Sequence, residues 1–181
     1  MSLLLEIEVR IPTEMDGPAI GAIVGVTFGG AWGIAGATAL PHPWQAWAIG
    51  SSVGISAVLI VALALPHEQR QSGTFRRDTY AMAVAFEAVA IFATIWLLKR
   101  FALSQLLLPA IGFIVGLHFL GLWKATNLRV FLWTALAMCI VCGLAALLPG
   151  ARENGDVDTR RVVVGLGNAL VLWGAGVSTL V

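Results

Sequence analysis

Glu87 stands at the centre of the apolar run TYAMAVAFEAVAIFATIWLL, residues 79–98. An ionised carboxylate at the middle of a bilayer costs about 2.5–3.5 kcal/mol on insertion scales. It is tolerated there when protonated, paired or facing water, and each of these makes it a candidate group for taking up and releasing a proton. His118 lies inside another apolar run and is the one intramembrane base available to Glu87. Histidine is the residue type whose side chain can change charge near physiological pH. Asn168, in RVVVGLGNALVLW, brings an amide, and Thr27 brings a hydroxyl at the position that His118 occupies in a repeated segment described below. Glu87, His118, Asn168 and Thr27 together form the candidate proton or substrate site. The competing reading makes them interhelical glue, each hydrogen-bonded to a neighbouring helix or to its own backbone.

Other chemistries lack their residues. There is no His-Glu-x-x-His metal helix, no Gly-x-Ser-x-Gly elbow, no pair of membrane aspartates and no phosphate-binding glycine loop. His42 and His67 fall in loops on opposite sides, which rules out a three-histidine metal site. Cys139 and Cys142, spaced i, i+3 on one helix face, are too far apart for an unstrained disulfide and read as small buried hydrophobes. The expectation is a protein without catalytic residues, metal or cofactor, and not an enzyme.

The elements that must position these groups follow from composition. Hydrophobic residues make up 59% of the 181-residue chain, charged residues 12%, and mean hydropathy is +0.88. These values lie well outside the usage of soluble domains. A bilayer core of about 30 Å needs about 20 apolar residues of helix. Six such runs are expected, over 18–40, 44–65, 79–98, 103–123, 130–149 and 162–181. The lipid bilayer is thus a partner, and a bacterial or archaeal cell membrane is the expected location. No nucleic-acid partner is expected. The first seventeen residues carry Glu6, Glu8, Glu14 and Asp16 against Arg10 alone, which is unlike a signal peptide. They are expected to form an interfacial segment, 1–17. Lysine and arginine are distributed almost evenly over the two sides and leave orientation open.

The runs fall into two halves. PAIGAIVGVTFGGAW at 18–32 returns as PAIGFIVGLHFLGLW at 109–123, with ten of fifteen positions identical at an offset of 91. Loop patterns repeat as well: ALALP at 62–66 and AALLP at 145–149 each precede an arginine pair, Arg76-Arg77 and Arg160-Arg161. Three crossings per copy bring the second copy in from the opposite side of the membrane. The expected fold is therefore an all-α bundle of six transmembrane helices, built as two inverted-topology three-helix repeats, 18–98 and 103–181. Many secondary transporters are built this way, with the working site near the midplane.

Gly17, Gly21, Gly25, Gly29 and Gly33 form an unbroken four-residue stripe on the first helix, and Gly112 and Gly116 keep part of it on the fourth. Side-chain-free stripes allow close helix approach, so the two copies are expected to form the crossing core of the bundle. Self-association into a homo-oligomer is the competing use. The function expected from all this is a small transporter or channel for a small solute or ion, proton-coupled through Glu87. The alternative is a non-transporting scaffold or assembly subunit packed through its glycine-striped helices.

Overall fold

The computed structural model describes residues 17–65, 76–149 and 157–178. The expected interfacial segment, apart from Gly17, lies outside the described residues, as does His67. The described chain forms six helices: α1 (Gly17–Ala37), α2 (Trp44–Ala64), α3 (Arg77–Arg100), α4 (Leu107–Thr126), α5 (Arg129–Ala146) and α6 (Thr159–Ser178). A short 3-10 turn, Ser104–Leu106, precedes α4. No strand occurs among the described residues. This fits a chain that must satisfy every backbone polar group internally within lipid.

Local chemistry sets the ends of these helices. Asp78 lies in the first turn of α3, and Lys99 and Arg100 in its last; each sign complements the helix dipole at its end. Asn127 closes α4 with φ 59°, a left-handed conformation that asparagine adopts readily, and its N–H reaches the Trp123 carbonyl at 2.7 Å. Among the described residues, five helices, α2 to α6, are long and apolar enough to cross a bilayer. Helix α1 is 21 residues long, and the part of it whose side chains are described, Ile23–Ala37, is an apolar stretch. The chain has the character of an integral membrane helical bundle.

Helix α1 packs most extensively against α6 and next against α2, while α4 packs against α5 and α3, and α5 also against α6. Helix α3 leans on α4 and the 3-10 turn, and none of its residues is buried. The expected mutual crossing of α1 and α4 does not occur. The two copies are held apart, and Trp32 of α1 is the side chain that reaches toward Gly112 of α4. Both copies use their glycines on other partners.

The stripe itself needs the same correction. A Cβ at Gly25 would meet nothing within 4 Å, whereas Gly29 lies under Trp173 of α6, Gly33 under Ser52 of α2, and Gly36 against the backbone of Gly165 in α6. Gly17 and Gly21 lie outside the residues whose surroundings are described. Four-residue steps drift by about 40° each around a helix, while a seven-residue step drifts by only about 20°. The α1–α6 contact therefore follows Gly29 and Gly36, not the four-residue series. On α4, Gly112 faces Cys142 and Asn168, and Gly116 faces Cys139 and Met138, so these glycines serve α5 and α6. Gly25→Ala should accordingly leave stability unchanged or raise it by up to about 1 kcal/mol, because alanine is the better helix former. Equilibrium unfolding in mixed micelles measures this, and a clear loss of stability would place Gly25 back in a tight crossing.

Candidate functional site

Helices α3 and α4 run antiparallel, tied at one end by the Arg76 N–H donating to the Ala125 carbonyl at 2.9 Å. They come close where Gly121 of α4 leaves room for Ala83 of α3, so near that a Cβ on the glycine would overlap the alanine methyl. One turn further into the bundle, Glu87 and His118 meet. The His118 Nδ1 lies 3.2 Å from the Glu87 Oε2, close enough for a hydrogen bond but misdirected for one. Glu87 is ten residues into α3 and His118 eight from the end of α4, depths of about 15 and 12 Å at 1.5 Å per residue. Antiparallel packing thus brings the two to nearly the same level.

The pair has an aromatic surround. Tyr80, two turns before Glu87 on α3, presents its ring edge-on to the imidazole at 6.4 Å between centroids, and Phe119 does so at 6.0 Å. The His118 side chain is 11% exposed and that of Glu87 21%. One proton can serve both groups. On the imidazole it makes an ion pair; on the carboxyl it leaves two neutral partners. In either state the charges cancel, which is what a low-dielectric setting favours.

The other two candidate residues lie elsewhere. Asn168 on α6 is fully buried. Its Nδ2 donates to the Cys142 Sγ at 3.4 Å, and the thiol returns a longer contact of 3.7 Å to Oδ1. This amide–thiol pair is packed against Gly112 and Trp32, where a Cβ on the glycine would come within 2.7 Å of the amide nitrogen. Thr27 is exposed on α1 and bonds back to the Ile23 carbonyl at 2.8 Å. Neither residue contacts Glu87 or His118 among the described interactions. The structure therefore joins two of the four candidates.

Two further polar groups hold helices together without having stood out in the sequence. Ser51 and Ser52 bond back to their own helix, as hydroxyls in apolar helices commonly do. Ser56 instead donates to the Val26 carbonyl of α1 at 3.2 Å and accepts from the Trp173 Nε1 of α6 at 3.0 Å, linking three helices. Arg160 is buried at the start of α6 and donates to the Gln105 carbonyl at 3.2 Å and the Leu148 carbonyl at 2.6 Å. It joins the entry of α4, the chain just past the end of α5 and the start of α6. The arginine pair after AALLP was the one signal that pointed to it. Comparison of the chain with protein-family models, curated proteins and solved structures finds no match.

Proposed function

We propose that this protein is a small membrane transporter or channel, and not an enzyme, that moves a small solute or ion with proton coupling through Glu87 and His118. The carboxylate–imidazole pair at 3.2 Å is the observation that carries the reading. It supports the reading because two groups able to exchange one proton stand together midway along apolar helices, where a surrounding bilayer would penalise charge. Helix α3 contributes the carboxylate and is the least embedded element of the bundle, so its displacement from α4 is the motion that would expose the pair to water. The same proposal includes two inverted repeats. Its support is the pairing of α1 with α2 and α6, mirrored by that of α4 with α5 and α3, in which each repeat exchanges its third helix with the other.

The scaffold reading has one observation in its favour. Asn168 is locked onto Cys142 in a closely packed core, which is what packing glue looks like. Proton flux separates the readings. In vesicles carrying the purified protein, a trapped pH-sensitive dye and an imposed pH gradient, the parent should dissipate the gradient faster than empty vesicles do. Glu87→Gln keeps size and hydrogen bonding while removing titration, and should return the rate to that of empty vesicles with the chain still folded. Parent-like flux through Glu87→Gln removes the proton site, and a parent rate equal to that of empty vesicles leaves the scaffold reading in its place.

A further inference from the structure

A cavity of about 420 Å³ opens where α4 ends and α5 begins, lined by Trp123, Asn127, Arg129, Leu132 and Trp133. Its position is that of a membrane–water boundary. Arg129 is the first residue of α5 and Lys124 lies in the last turn of α4, while Trp133 sits one turn below Arg129, about 6 Å deeper along the helix. Indoles concentrate at this level because one edge is apolar and the other can hydrogen-bond. Trp133 is 66% exposed, and Asn127 and Arg129 are exposed beside it.

Arg129 is the one charged residue lining the cavity, and among the described residues the nearest acidic position at this end of the bundle, Asp78, is on α3 and not among the lining residues. No aspartate or glutamate occurs between Glu87 and Glu153, so α4 and α5 bring two cations to this rim and no anion. Arg129 makes no ion pair among the described residues. Below the cation the walls become apolar through Leu132 and the two indoles. A guanidinium and an amide above, with an apolar slot beneath, match the order of groups in a phospholipid: a phosphate at the surface and an acyl chain below.

We propose that this cavity binds the headgroup of an anionic phospholipid, with Arg129 and Asn127 on the phosphate and Trp123, Leu132 and Trp133 along the glycerol and upper acyl chain. The site is independent of the proton pair on the other flank of α4. Purified protein equilibrated with equimolar phosphatidylglycerol and phosphatidylcholine, then examined by native mass spectrometry, tests it. The parent should retain phosphatidylglycerol in preference. Arg129→Gln should lower its occupancy about five-fold, the effect of one cation near an anionic surface, and Trp133→Ala should lower retention of both lipids. Lys99→Gln, at the end of α3, should leave the adduct unchanged, and inorganic phosphate at millimolar concentration should not displace it. Equal retention of the two lipids, undiminished phosphatidylglycerol on Arg129→Gln, an equal loss on Lys99→Gln, or displacement by free phosphate would each overturn the proposal.

Discussion

Gly165→Leu should leave no folded protein. A Cβ at position 165 would overlap the Cα and amide nitrogen of Gly36 and come within 2.8 Å of the Trp32 carbonyl oxygen. Every one of these is a backbone atom of α1, so no side chain can swing aside and α1 must separate from α6. That interface is the most extensive in the bundle. It also seats Leu172 and Trp173 against Gly29, and Val26 against Gly176. Overpacking a core usually costs about 1–3 kcal/mol, and Gly165→Ala should fall in that range. The four-carbon side chain of leucine extends the clash along the crossing. The reciprocal change, Gly36→Ala, should resemble Gly165→Ala, because its Cβ would lie 2.8 Å from the Leu166 nitrogen. Gly174→Ala, where a Cβ meets nothing within 4 Å, is the internal control. Size-exclusion profiles and thermal unfolding in detergent give the readout. A monodisperse Gly165→Leu protein that melts with the parent would show that the α1–α6 crossing is wrongly placed.

His118→Leu should destabilise the bundle more than the double change Glu87→Leu with His118→Leu. Removing the imidazole alone leaves a carboxyl at the middle of α3 with its partner gone. A charged group at that depth costs about 2.5–3.5 kcal/mol, and a buried polar group without a partner still costs about 1–3 kcal/mol. Removing both groups replaces the pair with apolar surface, a change that is often close to neutral. The single changes should therefore sum to more destabilisation than the double variant shows, with a coupling of about 0.5–3 kcal/mol. Equilibrium unfolding of the four proteins in mixed micelles measures it. Additivity within error would mean that the 3.2 Å approach carries no energy.

The apolar runs, their approximate limits, and the presence of Glu87 and His118 inside them were all legible in the sequence. Each is a local property: whether twenty residues can sit in lipid depends on those residues and on little else. Pairing was not legible. Nothing in the two apolar runs fixes which helices lie side by side, and only the antiparallel contact of α3 with α4, with Gly121 opposite Ala83, brings Glu87 and His118 level. The glycine stripe shows the same limit. Its spacing announced close approach but not its direction, and the contact formed at Gly29 under Trp173 and at Gly36 against Gly165, while a Cβ at Gly25 would meet nothing within 4 Å. Asn168 took Cys142 as its partner instead of Glu87, and Ser56 bridged α1 and α6 instead of bonding back to its own helix. Once helices are in lipid, apolar surface no longer drives one toward another, since lipid tails are as apolar as leucine. Partner choice then rests on where small residues let backbones meet and which polar groups face each other as a result. Those are relations between helices, and they arise only in the tertiary structure.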